Sequence, residues 1–394
     1  MKASTIALHL GAEGREPGDP VSPSPVVSTS FFNKPGPIGF SANDLGSDAP
    51  HFDTRWSNPT LEILEAKLSA LDQGEAAVTF ASGMAAVSAL FLDRLKSGDH
   101  LIFPDVCYAG VAELAHDYLP LHGIEVSAVD TSDPAAVRNA MRPNTKHIHV
   151  ETPANPILRV TDVRAIAEIA HAAGAKLSVD STIATPLGLK PIALGADFVV
   201  HSLTKYICGH GDALGGAVIG RSAEIDRLRR GNLIHLGGSL SPFSAWLILR
   251  GLETLVPRMQ LHQANARMVE EYLASHSSVR SVLWPGSPRH PQHQLAASQM
   301  SNFSSLMSFT LKQGSELAAS RIADRLKIIS YAVSLGKTRS LIYYIPTENI
   351  IESAFHLRGD AAQAYRDWAG EGVFRLSVGL EGAQDIIADL HQVL

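Results

Sequence analysis

Three stretches of this sequence place anion-binding or reactive side chains directly after apolar runs. Ser82-Gly83-Met84 follows the run AAVTF and opens a helical pattern, and a helix N-terminus offers free N–H groups to an anion. Asp180 ends the run AKLSVD and either caps a turn or faces a cationic ligand atom. Lys205 follows the run DFVVH in a Gly- and His-rich stretch, and a desolvated lysine can lose its proton and act as a nucleophile.

Taken singly, each stretch has an ordinary structural explanation: a βα turn, a turn-capping carboxylate and a solvated lysine. Together they supply the parts that hold pyridoxal 5'-phosphate. The phosphate would bind at the helix N-terminus and at the hydroxyls of Ser202 and Thr204. Asp180 would keep the pyridine nitrogen protonated, so that the ring acts as an electron sink, and Lys205 would form the Schiff base.

Alternating strand and helix patterns must position these side chains. From residue 60 the run LEILEAKLSALDQ repeats leucine at helical spacing, with Thr60 as the expected N-cap, and a further helix is expected near 110–121. Apolar strand runs alternate with such helical runs, which predicts βαβ units and a mostly parallel sheet. Ligands bind at the carboxyl ends of the strands in such sheets, and that is where Asp180 and Lys205 fall.

The chain is expected to divide into three parts. Residues 1–59 are irregular and rich in proline, which is typical of an arm that wraps over another part of a protein. Residues 60–254 form the predicted sheet domain. Residues 255–394 mix helical and strand patterns and form a smaller predicted α+β domain.

The composition argues against several classes of protein. The formal net charge of −6 disfavours a nucleic-acid-binding protein. Hydrophobic residues make up 45% of the 394 residues, which is enough for a large buried core. The sequence contains no uncharged apolar run long enough to predict a membrane span. Only two cysteines, Cys107 and Cys208, and the absence of an apolar leader indicate a reducing compartment, so we expect a cytoplasmic enzyme.

Short segments that surround these sites carry a more specific signal. In chain order they are RWSNPT (55–60), FASGMAA (80–86), ETPANP (151–156), VDSTIATP (179–186), HSLTKYICGHGDALGG (201–216), HPQH (290–293), AVSLG (332–336) and RLSVGLE (375–381). The sequence thereby resembles the cysteine/methionine-metabolism (trans-sulfuration) family of pyridoxal-phosphate enzymes, which includes cystathionine γ-synthase, cystathionine lyases, methionine γ-lyase and O-acylhomoserine sulfhydrylases. The resemblance covers nearly the whole chain. It implies an aspartate-aminotransferase-like fold (fold type I), with a mostly parallel seven-stranded sheet domain and a smaller C-terminal α+β domain.

The resemblance also implies roles for individual residues that contact the cofactor. Lys205 would be the Schiff-base lysine and proton shuttle, and Asp180 would pair with the pyridine nitrogen. Tyr108 would stack on the ring and assist proton transfer, and Asn155 would contact the ring hydroxyl. The residues that would hold the phosphate are Ser82, Gly83, Met84, Ser202 and Thr204.

Further implied roles concern the substrate and a neighbouring subunit. Arg375 would clamp the carboxylate of the L-amino-acid substrate with its bidentate fork, helped by the region of Ser334. Arg55 would reach from the N-terminal arm to the phosphate of a neighbouring subunit. This implies an obligate homodimer with shared active sites, commonly doubled to a tetramer.

The sequence departs from the family pattern at two positions. Asp53 stands where family members usually carry tyrosine, and Arg339 stands where they commonly carry glutamate. A carboxylate beside a phosphate is repelled, so Asp53 should turn toward the substrate or pair with a cation. We hypothesise that Asp53 favours a substrate with a cationic γ-group, such as canavanine. Two alternatives remain open: Asp53 is simply exposed, or it forms a structural pair with Arg339.

The predicted reaction is γ-elimination from a homoserine-type L-amino acid. The alternatives are γ-replacement by an O-acylhomoserine sulfhydrylase or a cystathionine γ-synthase, methionine γ-lyase activity and cystathionine β-lyase activity. A catalytically silent cofactor-binding protein is disfavoured, because the catalytic residues of the family are present. A Rossmann oxidoreductase is disfavoured, because no G-x-G-x-x-G follows the first strand. His290 and His293 lie in a proline-rich loop, and we expect no metal site there.

Overall fold

A computed structural model describes residues 1–11, 17–18, 20–33, 41 and 51–394 of the chain. Parts of the expected N-terminal arm therefore lie outside the described residues. Two β-sheets organise the described chain, the first within residues 76–220 and the second within residues 279–377. Within the described ranges, no helix is both long and apolar enough to cross a membrane.

The first sheet has seven strands. They are β1 (Ala76–Phe80), β2 (His100–Pro104), β3 (Glu125–Val129), β4 (Thr145–Glu151), β5 (Lys176–Asp180), β6 (Phe198–Ser202) and β7 (Gly216–Gly220). Their spatial order is β1-β7-β6-β5-β4-β2-β3. Strand β7 runs antiparallel to both of its neighbours, and the remaining pairs are parallel. The predicted mostly parallel seven-stranded sheet is confirmed.

Helices cover both sheets and connect their strands. They are α1 (Ala3–His9), α2 (Pro59–Asp72), α3 (Gly83–Arg94), α4 (Ala109–Glu113), α5 (Pro134–Ala140), α6 (Val163–Ala172), α7 (Thr185–Gly188), α8 (Ser222–Leu228), α9 (Ile234–Leu236), α10 (Pro242–Glu253), α11 (Leu255–Ser275), α12 (His293–Gln299), α13 (Ser315–Arg325), α14 (Thr347–Ile350), α15 (Gly359–Ala369) and α16 (Ala383–His391). The π-helical turns are Leu114–Tyr118, Arg229–Leu233 and Ile351–Phe355, and the 3-10 turns are Leu119–His122 and Ile192–Leu194.

Two helix predictions needed correction. The N-cap of α2 is Asn58, whose side chain accepts a hydrogen bond from the Thr60 N–H at 2.9 Å, so the expected cap at Thr60 was wrong. Asparagine caps more strongly than threonine, and Pro59 suits the first helical position because it has no N–H to satisfy. The single helix expected near 110–121 is instead α4, a π turn and a 3-10 turn, and Pro120 lies in the 3-10 turn.

The second sheet belongs to the C-terminal part of the chain. Its strands are β8 (Val279–Leu283), β9 (Leu306–Leu311), β10 (Ser330–Tyr331), β11 (Leu341–Pro346) and β12 (Gly372–Ser377), in the order β10-β11-β12-β9-β8. Helices α13 and α16 pack apolar residues on it, as expected for an α+β unit. The boundary expected at residue 254 falls between α10 and α11, and the three-part division of the chain stays a prediction.

The first sheet positions the candidate site. Strands β2 and β7 are buried along their whole length, as expected for strands covered by helices on both faces. Because β1, β4, β5 and β6 run in the same direction, the residues that follow or end them meet at one edge of the sheet. Gly216 begins β7 at this edge, and a Cβ atom there would lie 2.2 Å from the carbonyl oxygen of Ser82.

Candidate active site

A cavity of about 170 Å³ opens at the carboxyl edge of the first sheet. Its lining includes most of the residues that the sequence predicts for a cofactor site. These are Ser82, Gly83, Met84, Tyr108, Asn155, Asp180, Ser202, Thr204 and Lys205. Arg375 and Ser334 join this group through hydrogen bonds described below, so the fold brings together the residues that would contact cofactor and substrate within one chain.

The N-terminus of α3 forms an anion cradle at one end of the cavity. Ser82 is the N-cap, and its Oγ accepts a hydrogen bond from the Ala85 N–H at 3.0 Å. Gly83 and Met84 open the helix, and N–H groups in this first turn have no acceptor within the helix. A Cβ atom on Gly83 would lie 2.9 Å from the Cβ of Ser202, so glycine lets the helix approach the end of β6.

Backbone contacts also hold the hydroxyl groups near the cradle. Thr204 Oγ1 accepts a hydrogen bond from the Gly215 N–H at 3.1 Å and lies 3.3 Å from the Gly215 carbonyl oxygen, to which it can donate. The Ser202 N–H donates to Thr182 Oγ1 at 2.8 Å. These bonds fix the ends of β5 and β6 relative to the start of β7.

Lys205 lies on the cavity wall with its amine held by a serine. Its Nζ donates a hydrogen bond to Ser334 Oγ at 3.1 Å. Burial lowers the pKa of the Lys205 ammonium to about 8, and the positive charges of Arg375 and Lys337 act in the same direction. An appreciable fraction of this amine is therefore neutral near physiological pH, as a nucleophile or a general base requires.

Two carboxylates lie side by side in the lining of the cavity. Glu151 and Asp180 end β4 and β5 and are partners in the register of those strands. Burial raises the pKa of both groups, and the charge of Asp180 acts in the same direction on Glu151. Asp180 Oδ1 accepts a hydrogen bond from the Thr182 N–H at 2.9 Å. A cationic ring nitrogen next to Asp180 would stabilise its buried carboxylate in the charged form.

Arg375 links the two sides of the site. Its Nη1 donates to Asn155 Oδ1 at 3.1 Å, and its Nη2 donates to the Ser334 carbonyl oxygen at 3.3 Å. Burial lowers the pKa of the guanidinium, while the charges of Tyr108 and Glu151 oppose this shift. Tyr108 lines the cavity and is 47% exposed, so its ring is accessible.

The sequence of the chain matches the model of one protein family over nearly its whole length. The model described as Cys/Met metabolism PLP-dependent enzyme matches residues 4–394. The chain belongs to this family. The family resemblance, the fold type I architecture and the dependence on pyridoxal phosphate that the sequence predicted are thereby confirmed.

Relatives of this Cys/Met metabolism enzyme include several lyases. A canavanine γ-lyase from Pseudomonas canavaninivorans is 40% identical over 397 residues, covering 100% of this chain and 96% of the relative. An L-methionine γ-lyase from Fusobacterium nucleatum subsp. polymorphum is also 40% identical, covering 99% of this chain and 97% of the relative. The chain is therefore an enzyme of the γ-lyase and γ-synthase kind.

Solved structures of family members have the same fold. A cystathionine γ-synthase from Xanthomonas oryzae pv. oryzae superposes with a TM-score of 0.88 at 35% identity, covering 100% of this chain and 97% of that chain. A cystathionine γ-lyase from Lactobacillus plantarum gives a TM-score of 0.87 at 32% identity, covering 100% and 98%.

Three residues predicted for the site of this family member lie elsewhere in the single chain. Asp53 and Arg55 line a separate cavity of about 550 Å³, where Asp53 Oδ1 accepts a hydrogen bond from the Arg55 N–H at 2.8 Å. Arg339 is exposed, and among the ion pairs of the described residues none joins it to Asp53. The roles of these three residues stay predictions, and the one predicted for Arg55 involves a neighbouring subunit.

The sequence analysis missed two charged residues of the site. Glu151 is the first residue of ETPANP, and its only signal in the sequence is that, like Asp180, it is a carboxylate at the end of an apolar run. The structure places it beside Asp180. Lys337 lines a cavity of about 380 Å³ that also contacts Lys205 and Ser334. Lys337 directly follows the segment AVSLG, which contains the predicted substrate-binding residue Ser334. Its position next to that segment was the signal in the sequence.

Proposed function

We propose that this enzyme catalyses γ-elimination on a homoserine-type L-amino acid, which together with one water molecule yields a 2-oxo acid, ammonia and the protonated γ-substituent. The observation that carries this proposal is the geometry around Ser334. Its hydroxyl accepts from the Lys205 amine at 3.1 Å and its carbonyl accepts from Arg375 at 3.3 Å. Ser334 thus holds both the proposed base, Lys205, and the proposed carboxylate-binding group, Arg375. This arrangement suits removal of the proton on the carbon next to the substrate carboxylate.

The anion cradle, the strand-end carboxylate and the half-buried lysine support pyridoxal phosphate as the group held at this site. We assign the phosphate to the cradle, the protonated ring nitrogen to Asp180 and the ring hydroxyl to Asn155, with Tyr108 on the ring face. When bound, the cofactor supplies an electron sink for negative charge that develops at the substrate α-carbon. The phosphate-binding residues proposed here are Ser82, Gly83, Met84, Ser202 and Thr204.

Four side chains of the site have separate proposed roles in the reaction. Arg375 binds the substrate carboxylate and fixes the α-carbon within reach of Lys205 Nζ. The neutral Lys205 amine removes the α-proton, and Lys205 with Tyr108 moves protons at the β- and γ-positions as the γ-substituent leaves. Asp180 remains charged and keeps the ring nitrogen protonated throughout.

We propose a homodimer, doubled to a tetramer, in which Arg55 of one subunit contacts the phosphate bound by the other. The separation of Arg55 from the cavity of its own chain supports this arrangement. Both cysteines, Cys107 and Cys208, are free and buried, which supports a reducing compartment, and we propose the cytoplasm.

We propose that Asp53, together with Arg55, reaches the active site of the partner subunit. There its carboxylate would bind a cationic γ-group of the substrate, with canavanine as the candidate substrate. Relatives named canavanine γ-lyase at 40% identity support this choice. The positive charge of Lys337 near Lys205 would repel such a group, so the cationic end would have to point away from Lys337 and toward the arm. Methionine γ-lyase and γ-replacement activity are the alternatives, because relatives and structural neighbours carry those names too.

A substrate panel tests this proposal. The purified enzyme is incubated with canavanine, methionine, cystathionine, and O-acetylhomoserine with and without sulfide, and products are measured by mass spectrometry. Turnover of canavanine that Asp53→Asn weakens about tenfold or more, with other substrates unaffected, is the expected result. Arg339→Gln is the matched control, since an equal loss there would favour a structural pair. Turnover of O-acetylhomoserine only with sulfide would overturn the lyase assignment.

A further inference from the structure

Glu151 is a buried carboxylate to which the reaction described above gives no part. It ends β4 and is 5% exposed. Its Oε2 accepts a hydrogen bond from the Tyr108 N–H at 2.7 Å, and its Oε1 accepts one from the Asn155 N–H at 2.7 Å. One carboxylate therefore fastens the loop after β2 to the loop after β4.

The hydrogen bonds continue from Asn155 to the reactive amine. Asn155 Oδ1 accepts from Arg375 at 3.1 Å, and Arg375 donates to the Ser334 carbonyl oxygen at 3.3 Å. The hydroxyl of Ser334 in turn accepts from Lys205 at 3.1 Å. Glu151 thus lies at one end of a continuous chain of hydrogen bonds whose other end is the proposed base.

An ionisable group at this position is expensive to keep. Burial is the main cause that raises the pKa of Glu151, and the adjacent Asp180 acts in the same direction. The two backbone N–H donors and Arg375 favour the carboxylate and partly offset that cost. An apolar side chain would avoid the cost altogether, but it would leave both N–H groups without their acceptor.

We propose that Glu151 is a positioning residue for the reaction, whose two oxygens set the placement of Tyr108 and Asn155 and, through Asn155, of Arg375. Glutamine is a poor substitute, because an amide has one acceptor oxygen and turns its NH₂ group toward the second N–H donor. The inference rests on the roles proposed above for Tyr108, Asn155 and Arg375.

The first measurement is amide hydrogen exchange in the protein without cofactor. In Glu151→Gln we expect exchange at Tyr108 or at Asn155 to become roughly tenfold faster, because one of the two bonds is lost. Glu151→Asp keeps both oxygens on a shorter stem and should fall between the wild type and Glu151→Gln. Exchange is measured in variants that fold, and it does not depend on turnover.

The second measurement uses the protein with bound pyridoxal phosphate. We expect Glu151→Gln to change the visible circular dichroism of the cofactor, which reports the orientation of the ring. We also expect KM for the turned-over amino acid to rise roughly tenfold, because Arg375 is no longer fixed through Asn155. If no amino acid of the panel is turned over, the proposed function fails, and the dichroism still decides the role of Glu151.

Glu65→Gln is the matched control. Glu65 is also a buried glutamate of the sheet region, 6% exposed, and accepts from the Thr79 N–H at 2.9 Å. This variant should lower the unfolding temperature while leaving exchange at Tyr108 and Asn155, the dichroism and KM unchanged. If Glu151→Gln loses only thermal stability, as the control does, Glu151 is structural and the proposal is wrong.

Discussion

Lys205 Nζ donates a hydrogen bond to the hydroxyl of Ser334, a residue whose backbone has φ = 95°. An L-residue in this left-handed region is strained by about 1–3 kcal/mol. The same residue offers its carbonyl oxygen to Arg375. One strained residue therefore orients the proposed base and the proposed carboxylate-binding group together.

Replacing Ser334 should separate strain from function. Ser334→Gly removes the side chain that resists positive φ, so we expect the free energy of unfolding to rise by up to about 1 kcal/mol. The hydroxyl that holds Lys205 is lost, and kcat should fall by about tenfold or more. Thermal unfolding and steady-state kinetics measure the two effects. Ser334→Ala is the control, since it loses the hydroxyl without relieving the strain.

Removing the charge of Lys337 should raise the pKa of Lys205. The positive charge of Lys337 contributes to the lowered value of about 8, so in Lys337→Gln the amine becomes neutral only at higher pH. The measurement is the pH dependence of acylation of Lys205 in cofactor-free protein, followed by peptide mass spectrometry. Arg339→Gln, an exposed change two residues away, should leave the profile unmoved.

The buried amine of Lys205 should itself reduce stability. Its pKa is about 8 in the folded chain and 10.5 as the reference value, so the unfolded chain binds more protons between these pH values. The stability of the cofactor-free wild type should therefore rise with pH across this window, relative to Lys205→Met. At pH 7 we expect Lys205→Met to be more stable by roughly 1–3 kcal/mol. Equal stability of the two proteins from pH 7 to 10.5 would contradict this.

Gly83→Ala should weaken the anion cradle. A Cβ atom at this position lies 2.9 Å from the Cβ of Ser202, so α3 must shift away from the end of β6. We expect the affinity for pyridoxal phosphate to fall by about tenfold or more, measured by titration of the visible absorbance. Gly231→Ala is the control, because no atom lies within 4 Å of its added Cβ.

Local patterns were sufficient to predict much of the fold and that several candidate site residues meet at one cavity. Ser82, Asp180 and Lys205 each follow an apolar run, and a parallel sheet places the ends of such runs at one edge. The cap of α2 was misassigned because Asn58 and Thr60 are both good cap residues in sequence. The preference of asparagine for caps and the proline after it favour Asn58, and the hydrogen bond from the Thr60 N–H to Asn58 decides the assignment.

Contacts between distant parts of the chain could not be predicted in the same way. Glu151 matters because Tyr108 and Asp180 come next to it, and sequence alone does not say which strands are neighbours. The strain at Ser334 is likewise invisible in a segment that reads as an ordinary loop.

The position of β7 also has a consequence for the order of folding. Strand β1 ends at Phe80, but its neighbour in the sheet is β7, which begins at Gly216. During synthesis, β1 and the segment after it that carries Ser82 have no strand to pair with until β7 has followed β2 to β6 out of the ribosome. Such a long-range pairing closes slowly, because a large loop must be ordered first. The anion cradle that follows β1 is therefore not held in the sheet until β7 pairs with β1, and a chain interrupted before Gly216 would lack this pairing.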